Sequence, residues 1–388
     1  MALPINSKFG KLSKRIKKHL PKKTYNPETV IKQLSKRKSQ VEGLNGVKYT
    51  ETDEYKYLIL QKDFKEFVIE HKNHIDKKYD LMIIVPAFNV EQYIDDCINS
   101  LLSQKTNYTY EIVIVNDGST DNTGEVLAKY SNKDNIRIIT QENKGVSVAR
   151  NAALEHITGK YIMFVDSDDE LKENAVSGLL DVAFKNNADI VEGSIIRFNS
   201  EKEFDPDLHE NTNNLEDPDL LLFGYSVCKV CKAELFENIH FPEGYIYEDS
   251  IIWYCIYPKS AKKYTISDIV YKYRTNENGI CVTASKSPKA IETYIVSYYL
   301  WMFYYEHFAH SDFFANMVQE QIILNYLRTT HLDEAVLKKA FKLTQKIYVT
   351  IITQRTNTHD KYDLLDLCLR KGTFEEFIEL YQNWYKIN

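Results

Sequence analysis

Cysteine is sparse in this chain. The six residues, at positions 97, 228, 231, 255, 281 and 368, are scattered through 388 residues, which excludes a disulfide-framed secreted scaffold and fits a reducing cytoplasm. Cys228-Lys229-Val230-Cys231 has the spacing of a zinc half-site, but no second CxxC or His pair completes four ligands. The two thiols therefore read as buried small hydrophobes. His71 and His74 are likewise an incomplete ligand set, expected to face solvent on a charged helix. A long apolar run is also missing. The longest uncharged segment, Thr293 to Tyr305, falls short of the roughly 20 residues that span a bilayer. The first residues carry charge with no apolar stretch behind it, so no signal peptide is expected. No internal repeat or low-complexity tract breaks the chain.

What is present is an ordinary soluble composition, 44% hydrophobic and 27% charged, in a chain long enough for two or three domains. The net charge of −6 hides an asymmetry. Residues 1–40 hold twelve Lys and Arg against the single acid Glu28, a balance of +11 that leaves −17 for the rest. A basic arm on an acidic body suggests an anionic surface, membrane lipid or nucleic acid. Within the arm, Phe9, Leu12, Ile16 and Leu20 recur at helical spacing among lysines and stop at Pro21, the pattern of a basic amphipathic helix. Further helices are expected over Pro27–Lys38 and Tyr55–His74, which makes residues 1–80 a basic helical N-terminal extension.

From Leu81 the pattern changes. Strands are expected at Leu81–Val85, Tyr110–Val115, Asn135–Thr140 and Tyr161–Val165, with helices at Val90–Gln104, Thr120–Tyr130 and Val146–Ile157 between them. Such alternation indicates βαβ units, hence an α/β domain with a doubly wound, mostly parallel sheet. A helix at Glu173–Asn186 and a strand at Asp189–Phe198 extend it, followed by an acidic irregular stretch from Asn199 to Asp219. Residues 220–285 are mixed, with short helices at Lys232–Glu237 and Glu248–Ile256 and strands at Lys263–Thr265 and Ile269–Tyr273. Beyond Pro288 the periodicity is helical only: 289–309, 312–328, 333–352, 361–370 and 373–387. The expected organisation is an extension at 1–80, a catalytic domain at 81–285 and an all-helical C-terminal domain at 286–388.

The stretch on which function turns is Tyr161-Ile162-Met163-Phe164-Val165, an apolar strand that empties into Asp166-Ser167-Asp168-Asp169. The carboxyl edge of such a strand is where open α/β sheets place ligands. Like charges so close repel, and a cation relieves them. An all-oxygen site suits a hard ion such as Mg²⁺ or Mn²⁺, which brings a diphosphate with it. Two other strand ends reach the same edge. The first is Pro86-Ala87-Phe88-Asn89, where Pro86 is expected to stop the strand. The second is Asn116-Asp117-Gly118-Ser119-Thr120-Asp121, where Gly118 permits a sharp turn before a helix start. Asp117 at its tip can accept a hydrogen bond from an imide or ribose donor. In Asn143-Lys144-Gly145-Val146-Ser147-Val148-Ala149-Arg150-Asn151, Gly145 opens a helix that carries Arg150 toward this edge, to pair with Asp117 or a nucleobase carbonyl.

Taken in order, PAFN, NDGSTDNTG, NKGVSVARNAAL, TGKYIMFVDSDD and FPEGYIYED resemble glycosyltransferase family 2, whose members adopt the GT-A fold. The resemblance covers about residues 81–285. It implies that Pro86 and Phe88 line the base pocket, that Asp117 binds the base with Arg150 in support, and that Asp166 touches the ribose. It further implies that Asp168 holds Mn²⁺ or Mg²⁺ on the diphosphate, with Asn89, Gly118, Ser119, Lys144 and Ser167 also in the nucleotide-sugar site. Glu248-Asp249 matches the family's ED motif, in which the Asp is the catalytic base. One base on one face with the metal on the other implies inversion at the anomeric carbon. There are two departures: the basic arm and the C-terminal helical domain lie outside the resemblance, where acceptor specificity is expected, and Tyr273-Arg274 matches the pair that precedes a diphosphate-closing Gly-Ser stretch, yet Gly279 is followed by Ile280-Cys281-Val282-Thr283. Arg274 is placed at the diphosphate, and no serine stands in the expected position.

The expected protein is thus an inverting, metal-dependent glycosyltransferase. It would move a sugar from a nucleotide sugar, a UDP-sugar, to a glycan or lipid-linked acceptor in bacterial capsule, cell-wall or other surface polysaccharide synthesis. It is expected in the cytoplasm, peripheral on the inner face of the membrane through residues 1–40, with no nucleic-acid partner. A nucleotidyltransferase would want a Gly-rich, basic loop after the first strand, which Pro86–Glu91 lacks. A nucleotide-sugar-binding scaffold without activity is the remaining alternative, and Asp166, Asp168 and Asp249 together argue against it.

Overall fold

The computed structural model describes residues 34, 36–38, 41–61, 67–211, 222–276, 283, 287–309, 312–353 and 360–384. The amphipathic helix expected at Phe9–Leu20, most of the Pro27–Lys38 helix, and Gly279–Val282 lie outside them. The chain forms two compact units: residues 66–277, and residues 1–65 together with 278–388.

The first unit is built on one sheet. Strands β1 (His74–Ala87), β2 (Tyr110–Asp117), β3 (Ile136–Gln141), β4 (His156–Phe164), β5 (Glu170–Leu171), β6 (Ile190–Phe198), β7 (Glu203–Asp207), β8 (Lys229–Lys232) and β9 (Lys263–Arg274) run β3-β2-β1-β4-β8-β6-β9-β5, with β7 on β6. The pairs β1–β2, β1–β4, β2–β3 and β6–β9 are parallel, while β8 lies antiparallel between β4 and β6. β6 therefore points the same way as β4, and the carboxyl ends of β1, β2, β4, β6 and β9 share one rim. The α/β sheet stands as the sequence predicts, with β8 inserted antiparallel and β5 and β7 added antiparallel on β9 and β6; β7 is a strand inside the stretch expected to be irregular. β8 is four residues long and its flanking Cys228 and its own Cys231 are buried, too short for periodicity to reveal.

Helices α2 (Ile94–Leu102), α3 (Thr123–Ala128), α4 (Val146–Leu154) and α5 (Ala175–Asn186) join the strands; α1 (Asp53–Ile59) belongs to the other unit. In α2 the apolar residues Ile94, Cys97, Ile98 and Leu101, spaced three and four apart, are all fully buried. Each aliphatic one contributes about 1.5–3 kcal/mol against exposure, and Asp95 and Asp96 favour the first turn through the helix dipole. α2 begins four residues later than its periodicity suggests. The Val90 and Glu91 amides are taken by Thr123 Oγ1 at 2.9 Å and Asp121 Oδ2 at 3.1 Å, so they serve the loop above the sheet instead of a helix.

Three other expectations are corrected. β1 does not stop at Pro86 but ends at Ala87. Pairing with β2 continues through Pro86–Val115 and Ala87–Asn116, while the β4 side closes with Val165 N on Ile84 O at 3.0 Å. The helix expected over Tyr55–His74 is α1 alone, followed after the intervening residues by an extended segment. Burial there alternates, with Phe67 and Ile69 inside and Val68 62% exposed. The backbone bonds His240 N–Ile69 O at 2.7 Å and Asn73 N–Glu237 O at 2.7 Å hold it straight. His71 and His74 are exposed as expected, though not on a helix. The two strands expected after Lys263 are one, β9, which carries register shifts opposite Gly193. A Cβ at Gly193 would lie 2.6 Å from Val270, so only glycine lets β9 pass.

The second unit contains α1, α6 (Glu292–His307), α7 (Asp312–Thr329), α8 (Glu334–Ile351), α9 (Asp360–Lys371) and α10 (Phe374–Trp384), close to the five C-terminal helices read from the sequence. Its core is aromatic. Trp301, Tyr298 and Tyr348 are wholly buried, and the Tyr298 hydroxyl donates to Ala340 O at 2.8 Å. Among the described residues no helix is long and apolar enough to cross a membrane.

Candidate functional site

At the end of β2, Gly118 turns the chain with φ +69°. A Cβ there would lie 2.5 Å from the Asn143 nitrogen. That approach brings the loop after β3 under Asp117, whose Oδ1 accepts from Lys144 N at 3.0 Å and Gln141 Nε2 at 2.7 Å, and whose Oδ2 accepts from Gly145 N at 2.8 Å. A carboxylate has about four lone-pair sites. Three are filled, leaving room for one outside donor on a side chain 3% exposed. Gln141 is a residue the sequence reading missed; a polar side chain at a strand end carries no local signal.

The loop after β1 is braced against the loop after β2. Asn89, at φ +50°, accepts from Thr120 N at 2.8 Å and donates its own N–H to Ser119 Oγ at 3.1 Å. Ser119 N in turn donates to Asn116 Oδ1 at 3.1 Å. Pro86 is buried in β1, while Phe88 is 44% exposed at the rim. An aromatic held open beside a hydrogen-bonding carboxylate suits a flat heterocycle. The Lys144 side chain is exposed and Ser167 is buried in the turn after β4.

Arg150 is the centre of the charge arrangement. Its side chain is 3% exposed, and its guanidinium lies over the rings of Phe241 at 5.2 Å and Phe164 at 5.8 Å. Nη1 donates to Glu248 Oε1 at 2.7 Å and reaches Asp249 Oδ1 at 3.4 Å, while Nη2 donates to Asp166 Oδ1 at 3.0 Å. The guanidinium thus goes to these three acids and not to Asp117, whose carboxylate is already engaged. Glu248 and Asp249 open a helical turn that continues as the π-helical segment Ile252–Ile256. The preceding residue, Tyr247, sits at φ +69°, a left-handed conformation that costs a bulky residue about 1–3 kcal/mol and marks a position fixed by its surroundings.

Burial and the neighbouring Asp249 charge push Glu248 up to about 7 against the pull of Arg150. Burial likewise pushes Asp166 up to about 6, opposed by Arg150 and reinforced by Asp249 and Asp168. Burial tends to lower Arg150, but Asp249, Glu248 and Asp166 outweigh it and hold the guanidinium charged. Glu248, 13% exposed, is the tightly held acid; Asp249, 40% exposed and more loosely bonded, is the one that can meet a second molecule.

The turn Asp166–Glu170 is set from below. Tyr271 OH accepts from Asp166 N at 3.0 Å and donates to Asp169 Oδ2 at 2.8 Å, and Arg274 N donates to Asp169 Oδ1 at 2.6 Å. The Arg274 side chain donates to Asp168 O at 2.7 Å and Glu170 Oε1 at 3.0 Å, and lies over Tyr93 and Phe198. Tyr271 is a second residue missed from the sequence. Asp168 differs from its neighbours: its carboxylate has no hydrogen bond or ion pair among the described residues. No group of three or more His, Cys, Asp or Glu forms a cage there among the described residues. Mg²⁺ and similar ions are commonly held by one or two carboxylates plus substrate phosphates. A single unpartnered aspartate at the rim of an acidic turn fits that mode.

The "Glycosyl transferase family 2" family model matches residues 82–240. The chain is 34% identical over 217 residues to the glycosyltransferase GlyA of Streptococcus pneumoniae serotype 4, covering 52% of this chain and 31% of that protein. It is 30% identical over 224 residues to GlyG of the same organism, covering 52% and 73%. To the minor teichoic acid biosynthesis protein GgaB of Bacillus subtilis it is 29% identical over 212 residues, covering 52% and 23%. The matched stretch therefore spans about a third of GlyA and less of GgaB. Among solved structures, S. aureus TarS 1–349 in complex with UDP-GlcNAc superposes with a TM-score of 0.64 at 19% identity, over 80% of this chain and 92% of that one.

Proposed function

The chain belongs to glycosyltransferase family 2, and from that membership we propose that it transfers a sugar from a UDP-sugar to a hydroxyl of a glycan or lipid-linked acceptor, with inversion. The observation that carries this reading is the Arg150 fork. It draws Asp166 on one strand end and Glu248-Asp249 on a distant turn to a single rim, so the donor side and the acceptor side face a common space.

In this reading the base lies between Phe88 and Asp117, whose remaining lone pair takes an imide N–H. Asp166 and Ser167 lie toward the ribose, with Asn89, Gly118, Ser119 and Lys144 shaping the loops around the nucleotide. Asp168 holds Mn²⁺ or Mg²⁺, which would act as a Lewis acid on the diphosphate when bound. Arg274, bonded to the Asp168 carbonyl, holds that aspartate's turn and adds positive charge beside it. Asp249 accepts the acceptor hydroxyl's proton as the new bond forms, a service worth roughly 10²–10⁴-fold. Glu248 keeps Arg150 in place and leaves the more exposed Asp249 free. Attack from the Asp249 side, opposite the diphosphate, inverts the anomeric carbon.

Surface polysaccharide or teichoic acid synthesis is the setting we propose, supported by the similarity to GgaB, a minor teichoic acid biosynthesis protein. Acceptor specificity would lie in residues 286–388, outside the family match. Residues 1–40, with their charge of +11, would hold the protein on the anionic inner leaflet, near lipid-linked acceptors. The test is a panel of UDP-, GDP- and dTDP-sugars incubated with purified protein and Mn²⁺, read as transfer or donor hydrolysis. Turnover of a UDP-sugar is expected; binding of none of the nucleotides in the presence of metal would end the proposal.

A further inference from the structure

Asn151 follows Arg150 on α4 and is 2% exposed. Its amide makes a two-way clasp on one residue of another segment: Nδ2 donates to Phe241 O at 3.0 Å, and Oδ1 accepts from Phe241 N at 2.7 Å. Nδ2 also reaches Glu243 Oε1 at 3.0 Å. A side-chain amide thereby replaces the strand that would otherwise satisfy both backbone groups of Phe241, whose ring is wholly buried against Phe164 at 5.3 Å. From Phe241 the chain runs to Glu248 without helix or strand, turning at Gly244 with φ +81° and at Tyr247 with φ +69°. A connection without a ladder of its own takes its position from its anchors.

We infer that Asn151 is a positioning residue for the acid turn, fixing where Glu248 and Asp249 stand by holding the main chain at Phe241. The inference rests on the reading of Asp249 as the base, and it adds a physical coupling. Arg150 and Asn151 are consecutive on one rigid helix, so the group that binds the carboxylates and the group that docks their segment move as one body. The loops on the nucleotide side, Pro86–Glu91, Asn116–Asp121 and Lys144–Gly145, make no bond to Asn151. Loosening Phe241 therefore displaces the acids relative to the donor without disturbing the donor's own pocket. A displacement of about 1 Å in a reacting group can cost on the order of 10²-fold in rate.

The experiment compares full-length wild type with Asn151→Ala by amide hydrogen exchange and by steady-state kinetics with calorimetric UDP binding in Mn²⁺. Exchange reports local opening, so amides of residues 241–252 should exchange at least ~10-fold faster in the variant, while peptides from β1 and β2 keep their protection. kcat should fall about 10²-fold with the UDP Kd within about twofold, the split expected when a reacting group and not a binding group is displaced. If Asn151→Ala does not fold, Asn151→Asp replaces it. The aspartate still accepts from Phe241 N but cannot donate to Phe241 O, and its charge faces Glu243, so the same two changes are expected. Unchanged exchange over 241–252 in a folded variant overturns the inference, as does an unchanged kcat or an equal loss of kcat and UDP affinity. A wild type that turns over no donor would defeat the enzymatic reading alone, and the exchange data would still decide whether Asn151 holds the turn.

Discussion

Arg150 Nη1 lies 2.7 Å from Glu248 Oε1, a bond that closes 98 residues of chain. Arginine suits this place because its planar fork serves several oxygens at once and stays charged when buried. Removing it would strand Glu248 and Asp166, two carboxylates that burial already pushes toward neutrality.

Arg150→Met should therefore destabilise the protein by about 3–5 kcal/mol at pH 7, the range for removing one partner of a buried pair. Arg150→Lys should lose less stability, yet one ammonium cannot span Asp166 and Glu248 together, so its kcat should fall with the methionine variant's. Urea unfolding and donor turnover check both. A methionine variant as stable as wild type would show that the acids do not depend on this cation.

Asp249→Asn and Asp168→Asn should separate chemistry from metal-linked binding. The first removes the only lone pair suited to take the acceptor's proton in the proposed mechanism. kcat should drop about 10²–10⁴-fold while Mn²⁺-dependent UDP binding persists. The second removes the carboxylate with no partner among the described residues, so UDP binding itself should lose its response to Mn²⁺. Calorimetry with and without EDTA reads the difference; identical behaviour of the two variants would contradict the division of roles.

The rim was legible because local pattern carried it. Alternating strand and helix signals put the ends of β1, β2 and β4 on one edge, and the acids at Asp166–Asp169 stood out against an apolar strand. The five C-terminal helices were legible through long stretches of helical periodicity. What escaped depends on contacts between distant residues. The extended run at Phe67–Asn73 is fixed by backbone bonds to 237–240, and no local propensity encodes a partner so far along the chain. β8 is four residues, below the length at which period two can be told from period 3.6. Arg150 could be placed at the rim, but Gln141, Lys144 and Gly145 fill three of Asp117's lone pairs, and the guanidinium goes to Glu248, Asp249 and Asp166. Gln141, Asn151 and Tyr271 carry no role that the sequence shows, for the same reason: each is ordinary where it stands and acquires its role from a residue elsewhere.

Gly118→Ala tests how far the base-side pocket relies on one backbone conformation. At φ +69° an alanine is strained, and its Cβ would meet Asn143 N at 2.5 Å. A backbone atom cannot swing aside as a side-chain tip would, so the loop after β3 must retreat from Asp117. The cost should be about 1–3 kcal/mol of stability, and UDP affinity should fall because the carboxylate loses the amides that orient it. Thermal unfolding with and without UDP separates the two effects, and unaltered UDP affinity would place the base elsewhere.

His240 gives stability a pH dependence with a definite sign. It is 7% exposed, its Nε2 lies 2.7 Å from Asn73 Oδ1, and its ring stacks on His71 at 3.8 Å. Burial, with His71 adding to it, lowers its pKa from 6.5 to about 4. The folded state thus holds the ring neutral where the unfolded chain would protonate it, so the contribution is complete above pH 6.5 and fades as pH falls toward 4. One pKa unit corresponds to about 1.36 kcal/mol, which sets an upper bound of ~3.4 kcal/mol over that window. Glu248 works in the opposite direction: raised to about 7, it favours the folded state most at low pH and loses that advantage as pH rises from 4.5 through 7. His240→Gln, which keeps an amide donor for Asn73, should flatten the acid-side loss, and Glu248→Gln should flatten the loss toward neutrality. Urea midpoints measured from pH 4 to pH 8 test both slopes. A histidine variant with the wild-type acid slope would remove His240 as its source.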